Sequence, residues 1–148
     1  MNKIHFISNN VVFQTKESHF TEKEIIDIIP YTFEGKEYFV QFYLKYDGIW
    51  FPDGADFVLD EDRFEIEYFY SIKSTNLWTP VKVRDVIEMN FSDNHIPFAT
   101  DAAGNLFLIE LPTGEIKYIE MEYPYEVTLV APSFIDFCNG IQATMREE

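Results

Sequence analysis

The stretch "HIPFATDAAGNLFLIELPTGEIKYIEM", His95 to Met121, carries two turn signals around one apolar run. Asp101–Asn105, "DAAGN", separates a short strand near Pro97–Thr100 from "LFLIEL". Then "PTGE" separates that run from "IKYIEM". Pro112 suits the second position of a type I turn, and Gly114 suits the left-handed residue that closes a bulged hairpin. Gly104 takes the same part in the first turn. With "YEVTLV" following, these segments predict an antiparallel meander over about residues 96–130. Leu106–Leu111 is too apolar for an edge and belongs in the middle of the sheet. Nothing in the stretch is an obvious catalytic group, so it reads as framework.

Upstream, "TEKEIIDII" predicts a helix. Thr21 with Glu24 three residues on makes a capping box, and Pro30 closes the segment. "EYFVQFYLKYDG" predicts a second helix, with Phe39, Phe42, Tyr43 and Tyr46 at helical spacing and Gly48 as its stop. The short run "VVF" near the N-terminus suits an edge strand. "WFPDGADF" reads as a loop, and Phe64, Ile66 and Tyr68 alternate with Glu65 and Glu67 as in a half-exposed strand. "TPVKVRDVIEMN" suits a third helix with Thr79 as N-cap, Pro80 first in the helix and Val83, Val86 and Ile87 buried. In "APSFIDFCNGI", Ser133 and Asp136 form a capping pair, and Phe134, Phe137, Cys138 and Ile141 share a face. The expectation is an α+β fold, a mainly antiparallel sheet packed with N-terminal helices and a C-terminal helix, in one domain spanning 1–148.

Charge bounds the function. The 148 residues hold 26 acidic against 11 basic side chains, a net charge of -15, in a chain 47% hydrophobic and 18% aromatic. Such a surface repels phosphate backbones and anionic lipid, and attracts a basic partner. No apolar run reaches the roughly 20 residues that span a bilayer, and no leader-like segment opens the sequence. The expectation is a soluble, cytoplasmic protein.

Catalytic constellations are hard to build here. There is no Gly-rich phosphate loop, no G-x-S-x-G and no H-E-x-x-H. His5, His19 and His95 are scattered, and a single cysteine makes neither a disulfide nor a zinc cluster. A Cys138–His95 dyad competes with a Cys138 that is simply core. Asp60 and Asp62 invite a calcium reading but lack the spacing and central glycine of an EF-hand loop. The "NFS" sequon at Asn90 matters only in a secreted protein. The expectation is no enzyme, no cofactor and no metal.

The ordered series resembles the SUKH superfamily, which includes fungal regulators of cell-wall assembly (glucan synthesis) and many bacterial immunity proteins. The "PFA" strand, the acidic-glycine turn, the apolar strand, the turn-glycine strand and a last helix opening near "SF" carry the likeness. "FVQFYLKYDGIWFP" resembles the family's helix and its Asn-Gly end, with Asp47 standing where Asn is usual. "IIP" resembles the step before that helix, and "YTFEGKE" is an insertion. The resemblance covers about residues 38–57 and 93–141. It implies a protein-binding module without catalytic residues, most often one that neutralises a toxin, many such toxins being nucleases. The alternatives are a scaffold or regulator, as in the fungal branch, and an enzyme whose site assembles only in three dimensions.

A toxin that holds phosphates can be blocked by carboxylates. The densest set is Asp60, Glu61 and Asp62, with Glu65 and Glu67 after it. Trp50, close to Asp53 and Asp56, suits an interface anchor. A basic protein partner is thus expected at Trp50, Asp53, Asp60, Glu61, Asp62, Glu65 and Glu67, with no direct contact to nucleic acid or membrane. Open edge strands would allow a homodimer.

Overall fold

A computed structural model describes residues 6–7, 11–17, 19–28, 32–70, 95–120 and 123–144. Among them eight strands and three helices alternate as β1 (Gln14–Glu17), α1 (Glu22–Ile28), α2 (Lys36–Lys45), β2 (Tyr46–Leu59), β3 (Asp62–Phe69), β4 (His95–Thr100), β5 (Leu106–Glu110), β6 (Ile116–Glu120), β7 (Tyr123–Ala131), α3 (Phe134–Gly140) and β8 (Gln142–Ala143). The strands form one antiparallel sheet in the order β1-β2-β3-β4-β5-β6-β7, with β8 added to β2. This is the α+β architecture expected, with two helices before the main sheet and one after it. The expected third helix around Val83–Ile87, and Asn90, lie outside the described residues.

The meander forms as its turns dictate. Gly104 and Gly114 both take positive φ, 85° and 75°. The Gly114 amide donates to the Glu110 carbonyl at 2.7 Å, closing the β5–β6 turn. A Cβ on Gly114 would collide with the Glu34 carbonyl, so this turn also seats the segment before α2. Strand β5 lies between β4 and β6, and Leu106, Phe107, Leu108 and Ile109 are all buried.

The two expected capping pairs within the described residues are present. Thr21 Oγ1 accepts from the Glu24 amide at 3.2 Å, and Glu24 Oε1 accepts from the Thr21 amide at 3.0 Å. Ser133 Oγ accepts from the Asp136 amide at 3.2 Å and donates to Asp136 Oδ2 at 2.9 Å. Helices α2 and α3 meet the sheet and each other through stacked, tilted and edge-on rings. Phe42 lies 5.1 Å from Phe69 and 5.5 Å from Phe134, while Phe137 lies 5.3 Å from Phe107 and 5.5 Å from Phe98. Each such pair adds about 0.5–1.5 kcal/mol beyond the area it buries.

Five expectations near the edge are corrected. The edge strand is Gln14–Glu17 rather than "VVF": Val11 is buried in the core and Val12 is exposed. The second helix ends at Lys45, one residue before Tyr46, which is already extended and opens β2. Gly48 is therefore no helix stop; its positive φ, 90°, bends the start of β2. "WFPDGADF" is no loop but the middle of β2. That strand stays extended because it has partners on both sides: β1 along Tyr46–Trp50, β8 at Ala55–Asp56, and β3 opposite. Between Trp50↔Tyr68 and Ala55↔Ile66, β2 places four residues opposite one of β3. This irregularity shifts the phase of β3: Phe64 and Ile66 are buried as expected, but Tyr68 is exposed and Phe69 takes the core position.

Candidate acidic interface

The β2–β3 hairpin carries most of the candidate residues. Leu59 pairs with Asp62, so Asp60 and Glu61 are the turn. Asp60 has φ 55°, a left-handed conformation that aspartate tolerates better than most residues. Asp60, Glu61, Asp62 and Glu65 are exposed, Asp53 is exposed on β2, and Glu67 is half-buried. Asp56, close to them in sequence, is separate from them in role. It is 2% exposed, its Oδ2 lies 3.5 Å from Arg63 Nε, and its Oδ1 accepts from Thr144 Oγ1 at 3.4 Å. Asp56 therefore holds the hairpin to β8 and draws Arg63 towards itself.

Trp50 is 46% exposed and directly opposite Tyr68, which is 37% exposed. The two rings share one face of the sheet and leave an aromatic patch in solvent. The Trp50–Tyr68 pair lies at the far end of the hairpin from Asp60 and Glu61, so the structure places the seven candidate residues along one hairpin rather than in one point.

Beside the hairpin is a cleft of about 410 Å³ lined by Asp62, Arg63, Phe64, Glu65, Asp101, Tyr118, Glu120 and Thr128. Two of the sequence candidates, Asp62 and Glu65, thus share the cleft with four polar side chains from β6, β7 and the β4–β5 turn. Phe64 and Tyr118 pack edge to face at 5.4 Å across it. Asp101 is already engaged. Its Oδ1 accepts from the amides of Ala103 and Asn105, at 3.0 and 2.9 Å, and its Oδ2 accepts from Asn105 Nδ2 and Tyr118 Oη, at 3.0 and 2.7 Å. Burial, then the Asp101 carboxylate, pushes the Tyr118 hydroxyl well above the usual phenol range, so the ring stays neutral and its hydroxyl stays turned to Asp101. With one cation, held by Asp56, against four carboxylates, the cleft is an anionic recess floored by aromatic rings.

Asp101, Tyr118, Glu120 and Thr128 were not singled out from the sequence. In the sequence Asp101 marks only a turn, and the others stand on strands separated from β3 by β4 and β5 in the sheet order.

The Cys138–His95 dyad finds no support. Cys138 is fully buried on α3, and that burial pushes its thiol well above the usual range, the opposite of an activated nucleophile. His95 Nε2 instead lies 3.4 Å from Glu110 Oε2. Among the described residues no group of three or more His, Cys, Asp or Glu side chains could hold a metal ion, and no helix is long and apolar enough to cross a membrane.

Comparison with known families agrees with this framework. The pattern of the SMI1/KNR4 family (SUKH-1) matches residues 37–140, from the start of α2 to the end of α3. The chain belongs to this family. The SUKH-1 match takes in the hairpin, the cleft and the meander, and leaves β1, α1 and β8 outside it. No curated protein matches the chain.

Proposed function

We propose that this SUKH-1 protein is a non-catalytic binding module whose β2–β3 hairpin and adjoining cleft engage a basic protein, and that the partner is a toxin domain, a nuclease being the class such a surface suits best. The observation that carries the reading is the cluster of solvent-facing carboxylates Asp60, Glu61, Asp62 and Glu65 on one hairpin of a chain of net charge -15. Carboxylates in such an array occupy the cationic groups that a nuclease offers to phosphates, and the overall field speeds the encounter. The exposed Trp50–Tyr68 pair supplies the aromatic surface in which interface energy concentrates.

The test is affinity capture of the tagged protein from its own cells, with low-salt and then high-salt washes, beside a variant carrying Asp60→Lys, Glu61→Lys and Asp62→Lys. A basic polypeptide in equal amount, harmful when expressed alone and lost from the variant, is the expected result. Several neutral or acidic partners retained equally by both proteins would replace this reading with that of a scaffold or regulator.

A further inference from the structure

Strand β3 is paired with β2 from Asp62↔Leu59 to Phe69↔Ile49, broken only at the irregularity opposite Glu67. Its other edge is paired with β4 only at Tyr68↔Thr100 and Phe69↔Ala99. Beyond Thr100 the chain leaves the ladder for the Asp101–Asn105 turn, whose ends hydrogen-bond each other instead. Among the described residues, positions 62–67 of β3 thus have a second edge without a strand partner, in the interior of the strand order rather than at its rim. In an antiparallel ladder alternate residues turn their N–H and C=O groups to opposite edges, so half of these six residues offer main-chain groups on the open side. The cleft begins at this edge, and four of its lining residues are Asp62–Glu65.

The geometry points to strand addition: an extended segment of the partner, with lysine or arginine at alternate positions, pairs with the open edge of β3 at residues 62–67 and sets its basic side chains on the Phe64–Tyr118 face, near Asp62 and Glu120. The inference rests on the basic-partner reading above and adds the mode of recognition to it. Main-chain hydrogen bonds then give affinity, and the alternating contacts give selectivity. Charge decides the occupant. Residues 62–67 carry three carboxylates against one guanidinium, so two copies of this edge repel each other, the like-charge device by which sheets discourage self-pairing, whereas a basic strand is drawn in. Phe64 and Tyr118 offer ring surface to a cation or an aliphatic stem.

The probe is a short synthetic peptide of alternating lysine and valine, added to the full chain and followed by calorimetry and amide hydrogen exchange. Three further peptides accompany it: one N-methylated on every lysine, one on every valine, and one with glutamate for lysine. Only one set of alternate amides in an added strand faces β3. The expected result is therefore a loss of about tenfold or more in affinity for one methylated peptide and little for the other, no binding of the glutamate peptide, and new protection of alternate amides within residues 62–67. Equal binding of both methylated peptides, or unchanged exchange at 62–67, would overturn strand addition while leaving the basic-partner reading standing. Binding of the glutamate peptide as tightly as the lysine peptide would overturn the charge selection in both.

Discussion

The two ends of β3 lie in unlike surroundings. At Phe69 the strand is enclosed: its ring stacks on Phe42 at 5.1 Å and meets Phe98 at 5.5 Å and Phe137 at 6.0 Å. Seven residues earlier, Asp62 stands in solvent beside a cleft, and among the described residues the edge from 62 to 67 has one strand neighbour where Phe69 has two. One end is held by helices α2 and α3 and by β4. The other is held by β2 and its turn, and its charged side chains are left to face outward. The difference separates what the protein needs in order to fold from what it leaves in solvent, within a single strand.

Substitutions at the two ends should therefore differ in kind. Phe69→Ala removes a ring that touches both helices and leaves a cavity, and is expected to cost about 3–5 kcal/mol in denaturant unfolding. Glu65→Ala, four residues away on the exposed half, is expected to fall within about 0.5 kcal/mol of wild type. Similar values for the two would end the distinction.

The turn glycines sharpen the same contrast between enclosed and open positions. Gly114 and Gly104 both have positive φ, but a Cβ on Gly114 strikes the Glu34 backbone, whereas one on Gly104 meets nothing within 4 Å. Gly114→Ala is expected to lose about 2–4 kcal/mol, from backbone strain and overpacking together. Gly104→Ala should lose only about 1 kcal/mol, from the backbone alone. Equal losses would mean that the β5–β6 turn does not bear on the segment before α2.

A third expectation concerns alkaline pH. Burial, with Tyr68 nearby adding to it, pushes the Tyr70 hydroxyl up to about 12, and burial raises Tyr43 well above its usual value. Tyr43 Oη donates to the Tyr70 carbonyl at 2.7 Å, so this pair belongs to the enclosed region. Both phenols resist ionisation in the folded state more than in the unfolded chain. The Tyr70 contribution is complete below pH about 10 and is lost as pH rises through about 12, and Tyr43, raised by its burial, acts in the same direction. Unfolding free energy should hold steady up to pH about 10 and then fall; a flat profile across that window would contradict the burial of these rings.

The enclosed region was the legible one. Caps, turn glycines and the apolar run of β5 are local signals, and each acts within a few residues of where it stands. Ser133 with Asp136 and Glu110 with Gly114 are examples. The open region was less legible. "WFPDGADF" has the composition of a loop, yet β1, β8 and β3 together hold it extended, and no local residue announces those distant partners. The phase shift that exposes Tyr68 follows from the same irregularity. The carboxylates of the hairpin were visible as a run, but their meeting with Tyr118 and Glu120 depends on how the sheet curves. Sequence spacing carries no record of that.

The central claim is that the hairpin carboxylates recruit a basic partner without supporting the fold. The most direct measurement is the association rate of the captured partner with wild type and with the Asp60→Lys, Glu61→Lys, Asp62→Lys variant, by stopped flow at low and high salt, after circular dichroism has shown the two to unfold alike. The expected result is association slowed by about tenfold or more in the variant, with the salt dependence of the wild type largely gone. An unchanged rate and an unchanged salt dependence, in a variant equally stable, would contradict it.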